Sequence, residues 1–179
     1  MDGSLSLNGI RQAEKVGATL ENKISRVYSS DLERARATAE IIVKKCSVKL
    51  DNDERLRERN LGIFQGLTLL EVEAKYPEMY NKFISGDPDF IIPKGESISQ
   101  TSKRINSFLN ELINEKDEDN ICIVTHDGII NIALREILGF SSNLPEKFIL
   151  SNGSISQVFY DYEQASWFAL SIGEILHLT

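Results

Sequence analysis

The sequence predicts an α/β fold, a three-layer α/β/α sandwich around a mostly parallel sheet. Helix-period segments and short strand-like segments alternate along the chain. The run Ile121-Cys122-Ile123-Val124 is continuously apolar, as expected of a strand covered by helices on both faces. With no internal repeat, low-complexity tract or linker, one domain over residues 1–179 is the expectation.

Each element has a local reason. Leu7, Ile10, Ala13, Val16 and Leu20 recur at helical spacing behind Ser6, a natural N-cap. Residues 26–30 read as a short strand. Leu32, Ala35, Ala39 and Ile42 then mark a second amphipathic helix, with Ser30 or Asp31 as its expected cap. A short strand is expected at 48–50, followed by an irregular polar stretch over 53–68 containing Gly62 and Gly66. A helix should cover 69–85, bent or divided by Pro77. Pro88, Pro93 and the flanking Gly86 and Gly95 make a surface loop. Ile98, Thr101, Ile105, Phe108 and Leu112 define a further helix. A strand at 120–125 and a helix at 129–138 stopped by Gly139 come next. Residues 154–160 and 167–172 finish the chain as two strands, read as a hairpin.

Bulk properties narrow the function classes. The 179 residues are 41% hydrophobic and 26% charged, with a net charge of −7 and no basic stripe interleaved with aromatics, which argues against nucleic acid as a partner. No apolar run approaches the roughly 20 residues that span a bilayer, and no charged-then-apolar leader is present, so no membrane partner is expected. Two cysteines, Cys46 and Cys122, make no disulfide framework. Cys122 reads as a buried small hydrophobe, and a reducing cytoplasm is the expected setting. With only His126 and His177, no Cys/His cluster has zinc-ligand spacing, and no metal or other cofactor is expected.

In a sheet of this kind ligands bind beyond the carboxyl ends of the strands. Two strand-to-helix turns stand there: Ser29-Ser30-Asp31-Leu32-Glu33-Arg34 and Thr125-His126-Asp127-Gly128. His126, between strand and helix, suits an anion site, because the amides that follow would face a ligand. It could equally order its turn by bonding a backbone carbonyl. Arg34, one turn into its helix, could hold a phosphate with two parallel hydrogen bonds, or pair with Asp31 or Glu33. Glu58, in a loop that would partly desolvate it, could serve as a general acid with a raised pKa, or be one more solvated charge among Glu54, Arg55, Arg57 and Arg59. His177 reads as structural.

Together the motifs carry more than any one of them. Ser29 to Ala35 followed by Thr38-Ala39 resembles the S-x-L-x-R-A-x-x-T-A segment of the histidine phosphatase (phosphoglycerate mutase-like) superfamily. Leu56-Arg57-Glu58 with Gly62 and Gln65-Gly66 resembles its L-x-E-x-x-x-G-x-x-E/Q-G segment. Gly95-Glu96-Ser97 with Arg104 is similar to its G-E-S…R segment, and Val124-Thr125-His126-Asp127-Gly128 to its V-[ST]-H-G-G segment. The four occur in order, and the match runs from Asp2 to about Leu178. The resemblance implies a metal-independent phosphomonoesterase working through a phosphohistidine, closest to small broad-specificity phosphatases. Arg34 and His126 would be phosphate ligands, and Glu58 and His126 the catalytic groups, with Glu58 the proton donor. The partner would be a small phosphorylated metabolite or inorganic phosphate. The short, weakly basic stretch between Glu58 and His126 favours a phosphatase over a phosphoglycerate mutase. The alternative from another class is a noncatalytic module binding a phosphorylated ligand or a protein.

Two departures from the pattern lead to expectations of their own. Asp127 stands where the resemblance places glycine, and is expected to point outward as a helix cap. The sequence also contains no Arg-His-Gly, the segment that supplies the nucleophile, and Asp2-Gly3-Ser4-Leu5-Ser6 with Gly9 and Gln12-Ala13 resembles what normally follows it. The expectation is a domain truncated at its N-terminus and lacking the first strand, inactive as it stands. That strand is expected next to 26–30 and 121–125, so that its loss opens a central gap, lowers stability and favours a homo-oligomer.

Overall fold

The computed structural model describes residues 3–115, 120–140 and 148–179. Among these residues six α-helices and five strands follow one another as α1 (Leu7–Leu20), β1 (Arg26–Ser29), α2 (Glu33–Cys46), β2 (Lys49–Asn52), α3 (Leu69–Lys75), α4 (Pro77–Ile84), α5 (Ile98–Glu115), β3 (Ile121–Val124), α6 (Asp127–Ile137), β4 (Ile155–Asp161) and β5 (Ser166–Glu174). Short 3₁₀ turns at Glu54–Leu56 and Gly62–Phe64 punctuate the stretch expected to be irregular. Pro77 divides the expected 69–85 helix, at the first turn of α4, where a missing N–H costs nothing. β2 begins one residue later than its apolar pattern and runs two residues further, because Asp51 and Asn52 pair with Tyr28 and Ser29.

β1 is the centre of a parallel sheet of order β2-β1-β3. Its residues alternate between two cores, as the period of a strand requires. Val27 is completely buried with Val16, Ala39 and Ile42, where Leu50, Cys122 and Val124 join it under α1 and α2. Tyr28 faces the opposite way, into Ile105, Phe108, Leu109 and Ile129 of α5 and α6, with its ring edge against Phe108. Helices therefore cover both faces of the strands.

The expected central gap is not between the strands named for it. Residues 26–29 and 121–124 pair directly, Arg26 with Ile121 through Ser29 with Val124. Instead, the middle layer is divided further along. β4 and β5 form an antiparallel ladder of their own, the expected hairpin, which shares no strand hydrogen bonds with β2-β1-β3 among the described residues. The hairpin still belongs to the same layer: Ile155 packs into the α1–α2 core and Trp167 into the α5–α6 core.

A third cluster, Phe64, Val72 and Ile92 with Tyr76, Phe83 and their neighbours, ties α3, α4 and the 86–95 loop into a cap of their own. Cys46 and Cys122 are free thiols, and burial pushes Cys122 up to about 12. Among the described residues no helix is long and apolar enough to cross a membrane.

Candidate active site

The carboxyl ends of β1 and β3 lie side by side, because Ser30 N donates to Val124 O at 2.9 Å and continues the parallel ladder by one residue. Both chains then turn into helices. After β3, His126 occupies the N-cap position of α6 in extended conformation, with its side chain buried and its Nε2 2.9 Å from Ser30 Oγ. The Thr125 hydroxyl donates to the carbonyl of Leu56 at 2.7 Å, which anchors the loop that carries Glu58 against this same edge.

That loop is held from its other side by the Gly95-Glu96-Ser97…Arg104 motif. Arg104 grips both carboxylate oxygens of Glu96 and donates to the carbonyl of Arg55. Glu96 in turn accepts from Asn60 N, and its own N–H donates to Asn60 O. Two glycines let the segments come this close. A Cβ on Gly62, which has φ +52°, would lie 2.1 Å from Pro93 O, and one on Gly95 would lie 2.4 Å from Asn60 O. Buried Ser97 accepts from Gln100 N and starts α5.

Glu58 ends up against the first turn of α6. A Cβ on Gly128 would sit 2.8 Å from Glu58 Oε1, so a side chain at 128 would displace the carboxyl. Burial pushes Glu58 above the usual glutamate range. The nearby Asp127 carboxylate adds to this, while the hydrogen bond from Arg59 N and the charges of Arg34 and Arg104 work against it. Arg34, in the first turn of α2, is thus close enough to Glu58 to act on its titration. Residues 34, 58 and 126, far apart in sequence, meet at one edge of the sheet. The carboxylate of Asp31, offered above as an alternative partner for Arg34, is held bidentately by Arg57 at 2.7 and 2.5 Å.

Several local expectations change. Ser30 and Asp31 do not cap α2: its N-cap is Leu32, without a side-chain bond, because Ser30 has turned to His126 and Asp31 to Arg57. α6 begins at Asp127 and not at 129. Asp127 is exposed, as expected, but is not the cap. It is the first residue of the helix, and its carboxylate accepts from buried Asn131 at 3.0 Å. His177 Nε2–H donates to Gly153 O at 2.8 Å, a contact within the C-terminal packing. Reading the sequence alone missed Ser30 as a partner of His126, Thr125 as an anchor and Gly128 as the space for Glu58. All three carried a signal, since each lies within the motifs. Among the described residues no group of three or more His, Cys, Asp or Glu is placed to hold a metal ion.

Residues 1–172 match the histidine phosphatase superfamily (branch 1). Phosphoglycerate mutase-like protein 4 of Arabidopsis thaliana is 37% identical over 99% of this chain and 77% of its own length. Among solved structures, phosphoserine phosphatase of Entamoeba histolytica in complex with 3-phosphoglyceric acid superposes with a TM-score of 0.87 at 26% identity, covering 100% of this chain and 88% of that one. Mycobacterial glucosyl-3-phosphoglycerate phosphatase with inorganic phosphate gives 0.86 at 25%, covering 100% and 91%. The order of the motifs, the edge of the sheet at which they meet and these similarities agree: the chain belongs to branch 1 of the histidine phosphatase superfamily.

Proposed function

We propose that the protein is a phosphomonoesterase acting on small phosphorylated metabolites, with Arg34 and His126 as phosphate ligands and Glu58 as the proton donor to the leaving oxygen. The observation that carries this reading is the meeting of a half-buried carboxyl, whose pKa that burial raises, with Arg34 and the His126 turn at one sheet edge. A guanidinium and an imidazole N–H at that edge stabilise the equatorial oxygens of a phosphoryl group as charge develops there. A carboxyl held above its ordinary range keeps its proton closer to neutral pH, where an alkoxide leaving group needs it.

In the two-step transfer of this family, a histidine nitrogen attacks phosphorus as the ester P–O bond breaks, and the leaving oxygen takes the proton of Glu58. Water then attacks the phosphohistidine and yields its proton to the Glu58 carboxylate. Of the two histidines in this sequence, His126 is assigned to phosphate binding, and His177 is engaged by Gly153. Neither is assigned the attack.

Binding is accordingly the direct test. Inorganic phosphate titrated into the 179-residue polypeptide, followed by ³¹P NMR or calorimetry, should bind at one site, and Arg34→Ala should abolish that binding. Unchanged affinity in Arg34→Ala would remove the site. Turnover of an aryl phosphate by the same polypeptide should stay at background. Robust turnover lost in His126→Ala would reassign the attack to His126. The phosphatase reading is preferred to a mutase because the two solved neighbours above are named as phosphatases of small phosphorylated acids. The mutase-like name of the Arabidopsis relative favours the second reading. Phosphate transfer between positions of a phosphoglycerate, without release, would decide for it.

A further inference from the structure

The hydroxyl of Ser30 is completely buried at the end of β1, and its few contacts allow its proton to be traced. Oγ accepts from Leu32 N at 3.3 Å and lies 2.9 Å from His126 Nε2. The backbone of Ser30 is used elsewhere: its N–H donates to Val124 O, and its carbonyl accepts from the Ser29 hydroxyl at 2.8 Å. A hydroxyl has one hydrogen to give, and a backbone N–H can only donate. Of the two groups that meet Ser30 Oγ, only Nε2 can take that hydrogen.

We propose that Ser30 is a positioning residue for His126. Its hydroxyl donates to Nε2, so that the neutral imidazole carries its proton on Nδ1, and the hydrogen bond the ring offers a phosphoryl oxygen comes from Nδ1–H. The last clause rests on the phosphate-binding reading above; the assignment of the proton does not. Which ring nitrogen is protonated is set by the bond the other one makes. Here a serine just past the neighbouring strand makes that bond. Ser29 and Ser30 are both fully buried, and the Ser29-to-Ser30 bond fixes the backbone from which the hydroxyl projects. The serine pair therefore has a function beyond closing a strand.

The test is a two-bond ¹H–¹⁵N correlation spectrum of the ¹⁵N-labelled, ligand-free chain at mildly alkaline pH, which shows directly which ring nitrogen bears the proton. The sequence has two histidines, so a His177→Gln variant assigns the signals. The expected result is a protonated Nδ1 and a bare Nε2 for His126. Ser30→Ala should shift the ring toward the Nε2–H tautomer and weaken inorganic phosphate binding by about tenfold, the loss of one well-placed hydrogen bond. Ser30→Thr, which keeps the hydroxyl, should restore both. A protonated Nε2 in the unaltered chain overturns the proposal without any variant having to fold, as does an unchanged tautomer in Ser30→Ala. If the unaltered chain shows the Nδ1–H form and binds no phosphate, the assignment of the proton stands and the phosphate reading fails.

Discussion

Three helix starts away from the sheet edge differ from the two at it, while α4, which begins on Tyr76 with Pro77 in its first turn, has no side-chain cap. α1, α3 and α5 each begin on a side chain that accepts from an amide of their own first turn: Ser6 from Gly9, Thr68 from Glu71, Ser97 from Gln100. At Thr68 the arrangement is a full capping box. α2 and α6, which follow β1 and β3, begin on Leu32 and His126 without a side-chain cap. The residues that would cap α2 are engaged elsewhere, Ser30 with His126 and Asp31 with Arg57. Helix N-termini carry unsatisfied amides and a partial positive charge, which either a side chain or a bound anion can satisfy. At the first group of helices the chain satisfies them itself and gains stability. At the second group no side-chain cap is present, and the helix starts lie beside Arg34, Glu58 and His126.

Four substitutions test this division. The largest effect is expected from Arg34→Ala. Removing charge-assisted hydrogen bonds of about 1.5–3 kcal/mol each should weaken inorganic phosphate binding by at least about 100-fold while the thermal midpoint stays close to the original. A large loss of stability with phosphate binding intact would mean that Arg34 belongs to the structural group.

Gly128→Ala should come next. The new Cβ meets the end of a flexible glutamate side chain, so the fold should tolerate it, but Glu58 must leave its place against α6. The expected outcome is near-normal stability and phosphate binding, with the Glu58 carboxyl titrating closer to an ordinary glutamate by ¹³C NMR. An unmoved titration would place Glu58 somewhere other than the α6 turn.

Glu58→Gln tests the same carboxyl through stability. Because burial raises its pKa in the folded state, Glu58 contributes stability below the ordinary glutamate value, about 4.3, and loses it as pH rises through the raised value. At neutral pH the glutamine variant should therefore unfold at a higher temperature than the original. The gap should close as the pH falls below about 4. A glutamine variant that is less stable at neutral pH would show that the ionised carboxylate is net stabilising.

Smallest is Thr68→Ala, at a capped helix. It should cost about 1 kcal/mol in urea unfolding and leave phosphate binding unchanged. Weaker phosphate binding in this variant would mean that the caps and the site are not separate.

Much of the site was legible because its motifs are local. Arg34, Glu58 and His126 each lie in a short segment whose residue types and order carry the resemblance, and each segment comes to the same edge. Ser30 was legible only as a capping residue, since its serine, its position before a helix and its neighbours all fit that role. Its engagement with His126 requires β1 and β3 to be paired, a relation between residues 96 positions apart. Asp127 was misread for a similar reason: a carboxylate at a helix start suits a cap, but the chain there makes His126 the cap position and gives Asp127 to Asn131.

What the sequence by itself determined is what depends on neighbours along the chain. Period and turn chemistry place α1 behind Ser6, split α3 from α4 at Pro77, and make a hairpin of β4 and β5. Only the tertiary structure decided which strands lie side by side. The order β2-β1-β3, with 26–29 against 121–124 and the hairpin on a separate ladder, has no signature in any of those segments. A short apolar parallel strand reads the same whatever pairs with its edges, because its hydrogen bonds are made by backbone groups that every residue shares, while its side chains report only the faces above and below.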